Sequence, residues 1–186
     1  GVKRFILAST TSVYGKSMRT RDVAAWVTED LIPEPEDIYD ETKLAAEAIC
    51  RDAFGSGFVT AALRFSRSFP EPQHLMALYR LYRGVDGRDV ARAFGDVLVA
   101  PLDGFHAMNI SGETPFLQGD CDALFHDPVA VLEQRVPDLI RAFAARNWPL
   151  PTCIDRVYVT EKARQLIGFA PRHGWRSVVE AERGAG

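Results

Sequence analysis

The sequence predicts an α/β fold built on a parallel sheet. Two continuous apolar segments, RFILAS (4–9) and FVTAALRF (58–65), have the composition of strands that are covered on both faces. Between them, YDETKLAAEAICRDAF (39–54) is rich in helix formers and spaces its apolar residues with a helical period. A strand, a helix and a second strand in this order form a right-handed crossover, so the two strands are expected to lie parallel.

The connections of this unit are predicted from their composition. Residues 16–38 are polar and carry prolines, as in TEDLIPEPEDI (28–38), which predicts a long loop. The GSG segment at 55–57 is expected to end the helix, because glycine is common just beyond a helix C-terminus.

Further elements are predicted after residue 86. They are a helix at 87–100, a short strand at 104–111, a helix at 127–136 and a helix at 160–168. In the first helix, the apolar residues that include Val97 and Leu98 are spaced along one face. The last two helices begin at Asp127 and Thr160, which are suitable N-cap residues, and Gly168 is a suitable C-cap.

Composition excludes several classes of protein. The chain has 186 residues, is 47% hydrophobic and carries a net charge of −3 without a basic patch, which argues against a nucleic-acid partner. Its three cysteines are widely spaced, which argues against a disulfide framework and fits a reducing, cytoplasmic compartment. No apolar run is long enough to span a bilayer. The four histidines lack metal-ligand spacing, so no metal site is expected.

A hydroxyl-rich strand end and a tyrosine–lysine pair indicate a catalytic site. ASTTSVYG (8–15) places Thr10 at the carboxyl end of the first strand, where ligands bind in open parallel sheets. Tyr39 and Lys43 are four residues apart at the start of the helix, so their side chains share one face. A cation beside a phenol favours the phenolate form, which can exchange a proton with an alcohol or a ketone. Three groups are therefore expected to converge on one substrate oxygen.

These segments, taken together, resemble the extended short-chain dehydrogenase/reductase family, in its NAD-dependent epimerase/dehydratase branch. The resemblance implies a partial doubly wound (Rossmann-like) parallel sheet with a small C-terminal α/β substrate lobe. It implies a sheet domain over residues 1–72, and a mixed remainder with the substrate-binding lobe over residues 73–186. The segments that carry the resemblance are STTSVYG, YDETK, ALRF, GRDVARAF, MNISGETPF and ARQLIGFAPRHGW.

The same resemblance implies roles for individual residues. Tyr39 would be the general acid/base, Lys43 would assist it and hold the nicotinamide ribose, and Thr10 occupies the family's Ser/Thr position. The expected cofactor is NAD or NADP, and pairing through the tyrosine-bearing helix makes a homodimer possible. The residues expected to contact the cofactor are Ala8, Ser9, Tyr39, Lys43 and Ser66. Those expected to contact a sugar-like substrate are Thr10, Thr11, Arg67 and Arg80.

The sequence also departs from the family pattern. No glycine-rich strand–turn–helix is present to cradle a pyrophosphate, so the chain is expected to be the C-terminal part of a longer enzyme. The segment LRFSRSFPEP (63–72) carries Arg67 where epimerases have asparagine, and its PEP form is similar to uronate dehydrogenases. The short segment from Pro72 to Val85 favours a substrate smaller than a UDP-sugar.

Several functions stay open at this point. The favoured reading is an NAD(P)-dependent oxidoreductase or epimerase that acts on a secondary alcohol of a sugar or a sugar acid. Arg67, His74, Arg80 and Arg83 are candidates to bind a carboxylate or a phosphate. The alternatives are a nucleotide-sugar epimerase similar to UDP-glucose 4-epimerase, a non-catalytic cofactor-binding or scaffold relative, and an inactive remnant.

Overall fold

The main sheet has three parallel strands. A computed structural model describes residues 1–54 and 57–183. The strands are Arg4–Thr10 (β1), Val59–Phe65 (β3) and Phe105–Ile110 (β4), and they lie in that order across the sheet. A second, two-stranded parallel sheet pairs β2 (Ala25–Val27) with β5 (Arg156–Tyr158).

Helices flank the main sheet and build most of the C-terminal half. Between β1 and β2, the residues that follow Thr10 form two short 3₁₀ turns, Thr11–Tyr14 and Lys16–Met18. The α-helices are α1 (Ile38–Ala53), α2 (Gln73–Tyr79), α3 (Gly87–Val99), α4 (Cys121–His126), α5 (Pro128–Arg135), α6 (Pro137–Ala144), α7 (Glu161–Ile167) and α8 (Trp175–Arg183).

The predicted strand–helix–strand unit is confirmed. Strands β1 and β3 are parallel neighbours, and their last residues, Thr10 and Phe65, are paired in register. Helix α1 lies between them in the chain and is capped by Asp37, whose side chain accepts a hydrogen bond from the backbone N–H of Asp40 at 2.9 Å. The helix ends at Ala53, and two residues of the GSG segment, 55 and 56, lie outside the described residues.

Three local predictions need correction. The predicted loop at 16–38 contains β2, because a segment about 130 residues later supplies its partner strand. On α3, Val97 is buried but Leu98 is 59% exposed, so the two residues do not share one buried face. Asp127 caps α5 through its side chain as predicted, whereas the Thr160 side chain makes no capping bond to α7.

The buried apolar residues form three clusters. One lies between β3, β4, α3 and α7, and contains Leu63, Met108 and Phe169. A second fills the lobe formed by α2, α4, α5, α6 and α8, and the tryptophans at 26, 148 and 175 pack against it. A smaller third cluster contains Val13 and Tyr14.

The division of the chain at residue 72 stays a prediction. Among the described residues, none of the helices has the length and apolar composition of a membrane span.

A buried carboxylate joins α3 to the segment before α8. Asp89 is fully buried and accepts hydrogen bonds from the backbone N–H groups of Arg172 (3.0 Å) and His173 (2.8 Å), and its Oδ1 lies 3.1 Å from the His173 ring Nδ1. Burial alone would raise the pKa of Asp89. The hydrogen bonds from Arg172 and His173 outweigh burial, so that the pKa lies below its usual range.

Replacement of this carboxylate should weaken the fold in a pH-dependent way. We expect Asp89→Asn to lower the free energy of unfolding by about 2 kcal/mol near neutral pH, because hydrogen bonds to a charged group are lost. A carboxyl with a lowered pKa stabilises the fold above about pH 4 and loses this contribution as pH falls further. Urea unfolding across acid and neutral pH should therefore show a shallower acid decline in the variant. Asp122→Asn, at an exposed site, is the matched control, and equal effects of the two would contradict the assignment.

Candidate functional site

A cleft opens at the carboxyl ends of β1 and β3. Its volume is ≈ 580 Å³. Because parallel strands end at the same edge of a sheet, the residues that follow β1 and β3 meet there. The site residues predicted from sequence that line this cleft are Thr10, Thr11, Tyr39, Ser66 and Arg67. Three separate segments of the chain supply them, and Lys43, the third group expected beside Thr10 and Tyr39, is not part of the lining.

The tyrosine and the lysine occupy the first turns of α1. Tyr39 lines the cleft and is 49% exposed. The Lys43 Nζ lies 5.6 Å from the centroid of the Tyr39 ring and donates a hydrogen bond to the Ala8 carbonyl at 2.9 Å. One of the three ammonium hydrogens is thus anchored to β1, and two remain for other acceptors. Ala8, a predicted cofactor contact, takes part in this anchoring through its backbone.

The hydroxyl of Thr10 has a local structural role as well as a place in the cleft. Its Oγ1 accepts a hydrogen bond from the Ser12 backbone N–H at 3.1 Å and lies 3.1 Å from the Ser12 Oγ. Thr10 is therefore the N-cap of the 3₁₀ turn at Thr11–Tyr14. A hydroxyl offers one donor and two acceptor positions, so this capping bond leaves capacity for a substrate oxygen.

Two of the predicted cofactor residues are held mainly by other side chains. Ser9 is buried and donates to the Glu47 Oε1 at 2.5 Å, and it is not part of the cleft lining. The alternation of side chains along a strand explains this, since neighbouring residues point to opposite faces. Ser66 does line the cleft, and its Oγ is 3.0 Å from the Ser111 Oγ.

Two of the candidate anion-binding arginines line the cleft and differ in their partners. Arg67 donates to Glu71 at 2.7 Å, and this bond raises the pKa of the guanidinium. The Arg83 Nη1 lies 4.0 Å from the Asp155 Oδ1, a looser contact, and the Arg83 Cζ lies 5.0 Å from the centroid of the Tyr79 ring. Arg83 is therefore the more available of the two for an anionic group of a substrate.

The predicted substrate residue Arg80 lies elsewhere. Its side chain is 10% exposed, and Nη2 pairs with Asp86 at 3.2 Å. It lines a separate cavity beside Trp175. His74 is also outside the cleft, with its ring 6.3 Å from that of Trp148. Both side chains pack against the C-terminal lobe instead of lining the cleft. The spacing of residues near them in the sequence does not reveal this packing.

Sequence reasoning missed the wall that the second sheet contributes. Met18, Arg156 and Tyr158 line the cleft, and the Tyr158 hydroxyl lies 3.3 Å from the Met18 sulfur. The short apolar runs AAWV and RVYV were the available signal, but each is too short to predict a strand without its partner. Within residues 1–54 and 57–183, no three His, Cys, Asp or Glu side chains group as metal ligands would.

Comparison with known proteins identifies the family pattern in the first part of the chain. Residues 1–73 match the model of the NAD dependent epimerase/dehydratase family. The curated proteins contain no match to this chain. The family match covers β1, α1 and β3, which carry Thr10, Tyr39 and Lys43.

Solved structures share the fold of the whole chain. MoeE5 in complex with UDP-glucuronic acid and NAD is 22% identical, with a TM-score of 0.59, over 100% of this chain and 67% of its own. A short-chain dehydrogenase/reductase superfamily protein from Agrobacterium tumefaciens with bound NAD is 20% identical, with a TM-score of 0.63, over 100% and 67%. UDP-glucuronic acid 4-epimerase from Bacillus cereus is 20% identical, with a TM-score of 0.57, over 99% and 61%.

The chain thus spans about two thirds or less of the length of these structures. The α/β fold class and the family resemblance drawn from the sequence are both confirmed. Residues 1–73 carry the NAD dependent epimerase/dehydratase family pattern, on a fold that the chain shares with short-chain dehydrogenase/reductase structures.

Proposed function

We propose that this chain carries the chemical part of an NAD(P)-dependent oxidoreductase or epimerase site that acts on a secondary alcohol of a sugar or a sugar acid. One observation carries the proposal: Thr10, Tyr39, Ser66 and Arg67 line a single cleft at the carboxyl ends of β1 and β3. The family match over residues 1–73 supports it.

In the proposed mechanism, Tyr39 takes the hydroxyl proton of the substrate while the carbinol hydrogen leaves its carbon as hydride. Thr10 donates to the same oxygen and holds it beside the phenol. Lys43, anchored at Ala8, stabilises the negative charge on the Tyr39 oxygen. The nicotinamide, when bound, supplies the hydride acceptor. If the ketone were released, the outcome would be dehydrogenation; if it stayed bound and received hydride on its other face, the outcome would be epimerisation.

The residues present fit one half of a dinucleotide. The two free hydrogens of the Lys43 ammonium can donate to ribose hydroxyls, and Ser66, which lines the cleft, would contact the nicotinamide. Within the described residues, no glycine-rich turn opens a helix in the way that a pyrophosphate requires. We therefore assign to this chain the nicotinamide and its ribose, and no contact with the pyrophosphate.

A sugar acid is the substrate class that we favour. Two of the structural neighbours contain UDP-glucuronic acid, a sugar with a carboxylate. Arg83 lines the cleft with only a 4.0 Å contact to Asp155, so it can bind a carboxylate. The same two structures also support the second candidate, a nucleotide-sugar epimerase, because UDP-glucuronic acid is a nucleotide sugar, whereas the short segment from Pro72 to Val85 favours a free sugar acid.

The proposed homodimer would pair through α1, where Ile38 and Ile49 are 73% and 69% exposed.

Turnover assays should distinguish these candidates. The protein is supplied with NAD or NADP, and with free uronic acids, neutral sugars or UDP-sugars. Net cofactor reduction with free uronic acids is the expected result. Conversion of a UDP-sugar without net reduction would establish the nucleotide-sugar epimerase, and no conversion with any substrate would reject both.

Loss of the lysine should weaken cofactor binding as well as turnover. We expect Lys43→Met to raise the Kd for NAD about tenfold, since it removes charge-assisted hydrogen bonds that contribute about 1.5 kcal/mol. Isothermal titration with NAD measures the change. Lys16→Met, which removes a lysine of the 3₁₀ turn Lys16–Met18 and leaves α1 unchanged, is the control, and an unchanged Kd in Lys43→Met would refute the assigned role.

A further inference from the structure

A fully buried carboxylate ties α1 to two strands of the main sheet. Glu47, on α1, is 1% exposed. It accepts hydrogen bonds from the Ser9 hydroxyl on β1 at 2.5 Å and from Arg64 on β3, whose Nε and Nη2 donate at 2.9 and 2.6 Å. All three residues are less than 5% exposed, so these bonds are shielded from water. The carboxylate thus holds α1, β1 and β3 together at one point.

The same network continues to the turn after β1 and to β4. The Arg64 Nη1 donates to the Tyr14 hydroxyl at 3.0 Å, and this hydroxyl donates to the Asn109 Oδ1 at 2.8 Å. The Asn109 amide donates in turn to the Val27 carbonyl on β2 at 3.3 Å. Burial raises the pKa of Tyr14 to about 12, despite the opposing effect of Arg64. The hydroxyl therefore keeps its proton and can donate to Asn109.

Ser9 and Tyr14 are close in the chain to Thr10, which lines the cleft, and Glu47 lies on the same helix as Tyr39. Ser9 immediately precedes Thr10, and Tyr14 ends the turn that Thr10 caps. Glu47 lies one helical turn after Lys43 and two turns after Tyr39. None of the anchors Ser9, Glu47 and Tyr14 lines the cleft. The network can therefore influence the chemistry only by fixing where its neighbours lie.

We propose that the buried network Ser9–Glu47–Arg64–Tyr14–Asn109 positions Tyr39 relative to Thr10, so that Tyr14 and Glu47 are positioning residues for the reaction. This inference rests on the proposed function. Its physical basis is that side chains locked by buried, mutually satisfied hydrogen bonds keep a rigid geometry. A small displacement of reacting groups lowers the rate strongly, and a shift of about 1 Å can reduce it about 100-fold.

The test removes one hydroxyl from the network. Tyr14→Phe retains the ring and leaves the cleft lining intact, but separates Arg64 from Asn109. We expect kcat to fall about tenfold, because Tyr39 shifts relative to Thr10. The KM for the substrate and the Kd for NAD should stay within about twofold, because the residues that would bind them are retained. The matched control is Tyr82→Phe. Tyr82 is 5% exposed, belongs to the lobe core, and its hydroxyl makes no hydrogen bond to another described residue.

A second measurement separates the network from the function. Hydrogen exchange of the amides in the first two turns of α1 should become faster in Tyr14→Phe and stay unchanged in Tyr82→Phe, since local opening follows the loss of anchoring. An unchanged kcat in Tyr14→Phe, or an equal fall in the control, would overturn the proposal. Absence of turnover in the unaltered protein would reject the proposed function instead. Hydrogen exchange would then decide alone, and unchanged exchange in Tyr14→Phe would overturn the positioning role.

Discussion

Tyr39→Phe is expected to reduce turnover by about 1,000-fold, within the range that general acid–base groups contribute. The phenylalanine keeps the ring that Lys43 contacts and removes only the oxygen that exchanges a proton. Because the proposal assigns the ribose hydroxyls to Lys43, which the variant retains, the Kd for NAD should stay within about twofold. Steady-state turnover and isothermal titration measure the two quantities.

Two comparisons make this result specific to Tyr39. Tyr82→Phe removes a buried hydroxyl from the lobe core and should leave turnover unchanged. Thr10→Val should lower turnover as well, since the substrate oxygen loses a donor, although the capping bond to Ser12 is lost with it. Turnover in Tyr39→Phe close to that of the unaltered protein would remove Tyr39 from the mechanism.

The largest effect on stability is expected at Arg64. Burial alone would lower its pKa, but the bonds to Glu47 and Tyr14 raise it, so the guanidinium stays charged inside the protein. Arg64→Met leaves the Glu47 carboxylate at 1% exposure without its cation. We expect the free energy of unfolding to fall by about 4 kcal/mol, as for other buried pairs that lose one partner.

A double variant distinguishes the cost of an unpaired charge from simple loss of packing. In Arg64→Met/Glu47→Met, neither member of this ion pair remains, so no charge is left unpaired at this site and a large part of the lost stability should return. Urea unfolding, followed by circular dichroism, gives both values from the transition midpoints. If the single variant does not fold, Glu47→Gln retains a hydrogen-bonding side chain and is compared with the double variant instead. A double variant less stable than either single one would contradict a buried ion pair that is costly to break.

Local patterns in the sequence were sufficient for β1, α1 and β3. Strands β1 and β3 are continuous apolar segments, and α1 is a segment of helix formers. Their order predicts parallel strands, so Thr10 and the residues after Phe65 lie at the same edge of the sheet. The placement of Thr10, Tyr39, Ser66 and Arg67 in one cleft followed from that topology. The sequence was sufficient for these placements because they depend on residues close together in the chain and on the parallel pairing of β1 with β3.

The remaining features depend on contacts between distant segments. Strand β2 exists because β5 pairs with it, and Arg80 lines a cavity beside Trp175, about 95 residues later in the chain. Ser9 faces Glu47 because of the register of β1, which a hydroxyl-rich motif does not reveal. A partner far along the chain leaves no periodic signal at either position, so single-sequence reasoning could not assign these residues.

The pairing of Ala25–Val27 with Arg156–Tyr158 has a consequence for biosynthesis. As the ribosome releases the chain, Thr10 and Tyr39 emerge before the strand that supplies one wall of their cleft, which is translated more than 100 residues later. A product that stops before residue 156 would carry Thr10 and Tyr39 without the wall to which Tyr158 contributes. The cleft can therefore close only after residues 156–158 have been synthesised.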